Sequence, residues 1–145
     1  MTPIWQIVLL ASIDRVLDYL PPTDWSGPPP LHCRIQVPLG KREAIGWVIG
    51  ASTETNVLPN QLRPCARVID AAPPLDAGTL ALIQWTAHYY HHPLGRVLAT
   101  ALPVLLRQGA PAVASVAPHW RLTESACALE LEQVSGVRLR ELLAL

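Results

Sequence analysis

The sequence predicts an α+β protein, with a small β-barrel-like sheet over residues 1–70 followed by helices over 75–109. Three observations carry this reading. Leu31, Cys33, Ile35 and Val37 alternate with His32, Arg34 and Gln36, the two-residue period of a strand with one buried face and one polar, partly basic face. Ala44 to Ser52 repeats the alternation, with Ile45, Trp47 and Ile49 on one side and Gly46, Val48 and Gly50 on the other. Glycines two apart in a strand let a second backbone approach or let the sheet bend. From Leu75 the apolar spacing lengthens to that of a helix.

Taken in order, Ile4 to Leu10 is an apolar run fit for a buried strand, and Asp14 to Leu20 is a mixed stretch that stops at Pro21-Pro22. Thr23 to Pro30, with Gly27 and three consecutive prolines, is a loop. Pro38-Leu39-Gly40-Lys41 breaks the first alternating strand with a turn, and Arg63 to Ile69 is a further strand ended by Asp70-Ala71-Ala72-Pro73-Pro74. Five short strands joined by tight turns point to a small curled sheet. Leu75, Thr79, Leu82, Ile83, Thr86 and Tyr90 share a face of the first helix, with Pro73-Pro74 as its start signal. Leu94, Val97, Leu98, Ala101 and Leu102 form a second apolar stripe, stopped by Pro103. Residues 110–118 lack any period and read as a linker. Beyond them, 119–145 reads as the start of a second domain, with Thr123 as a helix N-cap and a stripe of Leu139, Leu142 and Leu143 that runs out at Leu145.

Composition narrows the function. Of 145 residues, 50% are hydrophobic and 15% charged, which excludes disorder. Eleven basic and eleven acidic residues cancel, so a strongly basic nucleic-acid coat is excluded, whereas a local basic patch is not. Residues 30–70 carry Arg34, Lys41, Arg42, Arg63 and Arg67 against Glu43, Glu54 and Asp70, a net +2, while residues 1–29 sum to −2. No apolar run reaches the roughly 20 residues of a membrane span, and Met1 to Gln6 lacks the basic start of a signal peptide. Cys33, Cys65 and Cys127 are odd in number and far apart. The expectation is a cytoplasmic protein with reduced thiols and no membrane partner.

Some chemistry is excluded outright. Lys41 follows Gly40, but Ile35 holds the place of a P-loop's first glycine and Arg42 that of its Ser or Thr. Neither G-x-S-x-G nor H-E-x-x-H occurs, so no enzymatic activity is expected of this chain by itself. His88, His91 and His92 have helical spacing but lack further ligands nearby, and they read as a helix terminus rather than a metal site. Trp47 and Trp85 read as core residues rather than base-stacking platforms.

Several segments together resemble the N-terminal 3′-DNA-binding domain of the PriA family, the primosomal N′ replication-restart helicases. They are Arg15-Val16-Leu17-Asp18-Tyr19-Leu20, Arg34-Ile35-Gln36-Val37-Pro38-Leu39-Gly40 and Ile45-Gly46-Trp47-Val48. The block from Tyr89-Tyr90-His91-His92-Pro93-Leu94-Gly95-Arg96 through Ala101-Leu102-Pro103 to Gly109 is the most specific. The resemblance implies a permuted OB-like module over 1–109, and 119–145 as the truncated start of a winged-helix domain. It also implies recognition of the 3′-hydroxyl end of the nascent leading strand at a stalled fork. ATP, magnesium and zinc would belong to family regions outside this stretch, leaving it without a cofactor. The implied 3′-end residues are Leu17, Asp18, Gly40 and Arg63, with Arg34, Lys41 and Arg42 as secondary phosphate contacts. Leu17 stands where the family normally carries Phe, and Arg63 where it usually carries Lys. The implied partners are single-stranded or fork DNA with a 3′ end, and helicase lobes or other primosome proteins. The alternative is a protein-interaction remnant that docks those lobes or proteins without recognising DNA ends.

Overall fold

A computed structural model describes residues 3–11 and 13–113. Five strands form one antiparallel sheet: β1 (Ile4–Leu9), β2 (Leu17–Tyr19), β3 (Arg34–Leu39), β4 (Arg42–Ser52) and β5 (Arg67–Val68), in the order β2-β1-β4-β3-β5. Three helices follow, α1 (Ala77–Tyr89), α2 (Leu94–Ala101) and α3 (Val104–Arg107). The architecture is α+β and OB-like, with the sheet left open. Contacts divide the chain into Met1–Val113 and Ala114–Leu145, a division that falls within 110–118. The expected winged-helix start at 119–145 lies outside the described residues.

Strand alternation builds two cores, one on each face of the sheet. Trp5, Ile7 and Leu9 of β1, Ile35 and Val37 of β3 and Val48 of β4 point to one face, where Tyr19 and Cys65 join them. Leu17 of β2 and Val68 of β5 pack against the same cluster, so the sheet curls until residues from both its edges share one interior. The other face carries Val8 and Trp47, which the helical layer covers with Leu80 and Ile83 of α1, Leu98 of α2 and Leu102. At the junction of the layers, a Cβ on Gly95 would fall on the carbonyl oxygen of Leu9, so α2 sits directly on the end of β1.

The face expected to be polar on β3 is buried at Arg34, while Gln36 stays half-exposed. Arg34 is 0% exposed. Its Nη2 lies 2.5 Å from Asp70 Oδ1, while its Nε and its backbone N–H both donate to Asp70 Oδ2, at 2.8 and 2.9 Å. Its Nη1 donates to the carbonyl of Leu106 in α3 at 2.5 Å. Alternation alone puts Arg34 opposite Ile35; the helical layer then decides that the opposite side is interior. Arg34 therefore makes no phosphate contact, correcting the sequence-based expectation.

The helices also correct three expectations. Asp76 caps α1, accepting from the backbone N–H of Thr79 at 3.0 Å, whereas Pro73-Pro74 lies further upstream. The buried residues of α1 are Leu80 and Ile83, while Leu82 and Tyr90 are exposed. Trp85, expected in the core, is 54% exposed and stacks on Tyr89 with ring centroids 4.9 Å apart. Apolar residues surround α1 on every side, so spacing does not single out its inner face. The helix ends in a Schellman turn: His92 N–H donates to Ala87 O at 2.9 Å, and His91, at φ 49°, donates to His88 O at 3.3 Å. Among the described residues no His, Cys, Asp and Glu side chains group to hold a metal ion, and no helix is long and apolar enough to cross a membrane.

Two measurements follow from this packing. Asp70→Ala should lower the unfolding free energy by about 3–5 kcal/mol in urea melts, because it strands a buried guanidinium. Burial also pushes the Cys65 thiol up from 9.0 to about 12. The unfolded chain then loses this proton first, so stability should fall as pH rises from 9.0 toward 12. Thermal melts at pH 8 and about 10.5 should show a smaller alkaline drop in Cys65→Ala.

Candidate nucleic-acid interface

The edge strand β2 has Tyr19 buried in the core, Leu17 half-buried beside it, and Asp18 between them projecting from the opposite side. Two neighbours hold this short strand in place. The Tyr19 hydroxyl donates to the carbonyl of Pro38 at 2.8 Å, joining β2 to the end of β3 just before Gly40. Burial, with the Cys65 thiol nearby, pushes the Tyr19 hydroxyl above its ordinary range, and Arg63 opposes that shift, so the group stays a donor. On the other side Leu20 N–H donates to Arg63 O, and Cys65 N–H donates back to Leu20 O, each at 2.9 Å. These bonds bring the segment leading into β5 against the end of β2.

Gly40 opens the two-residue connection between Leu39 and Arg42, which are paired across β3 and β4. Its φ of +63° suits the first position of a type II′ hairpin turn, a conformation that L side chains rarely adopt. A Cβ built there meets nothing within 4 Å, so the glycine requirement is one of backbone conformation and not of crowding inside the protein.

The result is one cleft of about 260 Å³ lined by Leu17, Asp18, Gly40 and Arg63, together with Arg15, Tyr19, Pro38, Leu39, Val57 and Gln61. All four of the 3′-end residues expected from sequence border this space. Lys41 and Arg42 are exposed and follow Gly40 directly in the hairpin, beside the cleft rather than in it. Arg34 lies in the interior, away from this set. Two arginines and a single carboxylate thus line one cleft, together with leucine, valine and proline.

Sequence reading missed Arg15, Thr55, Val57 and Gln61 as site residues. Arg15 was within reach, since it opens the Arg15–Leu20 segment that carries Leu17 and Asp18. Thr55 was not, because it acts from 37 residues away: its hydroxyl donates to Asp18 Oδ2 at 2.5 Å while accepting from the backbone N–H of Val57 at 3.0 Å.

Residues 6–103 match the PriA family described as 3′DNA-binding domain (3′BD). The chain belongs to that family. Replication restart protein PriA of Haemophilus influenzae is 32% identical over 120 residues, covering 83% of this chain and 16% of the relative. Its namesake from Treponema pallidum is 28% identical over 112 residues, covering 74% of this chain and 17% of the relative. The chain therefore spans about a sixth of the length of these curated relatives. The matched region contains Leu17, Asp18, Gly40 and Arg63 and every other residue that lines the cleft.

Replacing Gly40 isolates the conformational demand of the hairpin. Gly40→Ala should cost about 1–2 kcal/mol of stability and Gly40→Asn less, since asparagine visits the left-handed region more readily. Chemical denaturation of both variants against the parent chain measures the difference.

Proposed function

We propose that this domain captures the 3′-hydroxyl end of a DNA strand in the Leu17–Asp18–Gly40–Arg63 cleft, independently of base sequence, in the service of replication restart. The observation that carries this reading is the convergence of one carboxylate, two arginines and a glycine turn on a single small cleft. A carboxylate repels internal phosphates, so it is a poor residue for binding DNA along its length. Opposite a terminal hydroxyl, however, Asp18 accepts that proton in a charge-assisted hydrogen bond. Arg63 and Arg15 supply positive charge for the last phosphate, and Lys41 and Arg42 extend it along the hairpin. Gly40 presents bare backbone to the sugar. Leu17, in the place of the family's aromatic residue, gives an apolar wall without a stacking face.

The cleft is smaller than the roughly 300–1,000 Å³ of typical ligand pockets, which suits the tip of a strand rather than a duplex. Strand separation and ATP hydrolysis belong, on this reading, to helicase lobes of the longer relatives. A second reading, docking of those lobes or of primosome proteins, draws on the exposed Trp85, Tyr89 and Tyr90 of the α1 end, and it predicts no DNA binding at low salt.

Fluorescence anisotropy with short oligonucleotides ending in 3′-hydroxyl or 3′-phosphate tests the proposal. The hydroxyl end should bind more tightly, and equal affinities would overturn the reading. Asp18→Ala should remove about 1.5–3 kcal/mol of this preference, the value of a hydrogen bond to a charged group. Arg63→Ala should weaken binding to both ends and reduce the slope of log affinity against log salt by about 1.

A further inference from the structure

We propose that Thr55 is a positioning residue that fixes the Asp18 carboxylate for end discrimination; this rests on the cleft being the 3′-end site. Thr55 lies in the segment between β4 and Arg63, which is stitched by its own hydrogen bonds. Ser52 Oγ accepts from Glu54 N–H at 2.9 Å, and Leu58 O accepts from Gln61 and Leu62 N–H at 2.8 and 3.2 Å. Within this segment the Val57 N–H points at the Thr55 oxygen. A hydroxyl has a single proton and two lone pairs. With one lone pair taken by Val57, the proton is directed at Asp18 Oδ2, where the oxygens lie 2.5 Å apart.

The consequence concerns rotation. The terminal torsion of an aspartate is broad, so an untethered carboxylate turns readily. Tied at Oδ2, Asp18 keeps Oδ1 as the acceptor for a hydroxyl proton. Equally, it cannot swing aside to admit a phosphate, so like-charge repulsion stays in force. Thr55 thereby acts on both sides of the discrimination, strengthening the hydroxyl end and rejecting the phosphate end. The same tether joins Asp18 to Val57, a further residue of the cleft wall.

The two effects have opposite signs in the test. Thr55→Val should weaken binding of a 3′-hydroxyl oligonucleotide while strengthening that of the 3′-phosphate form, lowering the ratio of the two affinities by about three- to tenfold. Thr55→Ser, which keeps the hydroxyl, should stay within about twofold of the parent ratio. In an Asp18→Ala background, Thr55→Val should leave the ratio unchanged. A structural loss alone would weaken both ends together. That outcome, or an unaltered ratio in Thr55→Val, overturns the inference while leaving the end-recognition reading standing. A parent chain without any preference overturns both. Should the valine variant fail to fold, NMR of the parent serves: the Thr55 hydroxyl proton should exchange slowly and lose that protection in Asp18→Ala. Free exchange in the parent overturns the inference.

Discussion

The backbone hydrogen bonds between Leu20 and the Arg63–Cys65 segment are the constraint on which the cleft depends. An open five-stranded sheet has two free edges, and here β2 and β5 occupy them. Without a link between these edges, Asp18 on β2 and Arg63 on the approach to β5 would face different regions of solvent. The two bonds at 2.9 Å, with the Tyr19 hydroxyl on Pro38, bring one edge against the other without completing a barrel. The gap that remains is the cleft. Residues so close to both edges are the ones that an open sheet can bring together and a flat sheet cannot.

The opposite face is governed by electrostatics in a dry setting. Burying a guanidinium is costly unless its donors are met. Arg34 satisfies that demand with Asp70 and the Leu106 carbonyl, which joins β3, the end of the β-rich region and α3 through one side chain. The helical layer is therefore fastened to the sheet by directional bonds as well as by the packing of Trp47 against Leu80, Ile83 and Leu98.

Much of this was legible in the sequence. Alternation located β3 and β4, and the inward faces of Trp47, Val48, Ile35 and Val37 follow from it. The Pro-Leu-Gly-Lys turn was readable because glycine relieves the left-handed strain that its position imposes. What could not be read has a common cause. Period gives the sides of an element and does not say which side another layer will cover, so from sequence Arg34 reads as solvated and Trp85 as core. β2 is three residues long, too short for any period to register, and was legible through its resemblance to a family segment. Thr55 joins the site only through a long-range contact, for which local pattern has no signal.

The span of the Arg34 clasp sets a limit on how far this domain can be trimmed. Its partners stand 36 and 72 residues downstream, the second inside α3. The match to the family's 3′DNA-binding domain ends at residue 103, before that carbonyl is reached. A fragment cut there would keep every residue that lines the cleft yet remove the carbonyl that accepts from Arg34 Nη1. To retain all the partners of this one buried charge, a trimmed domain has to run through α3, a helical turn past the end of that match.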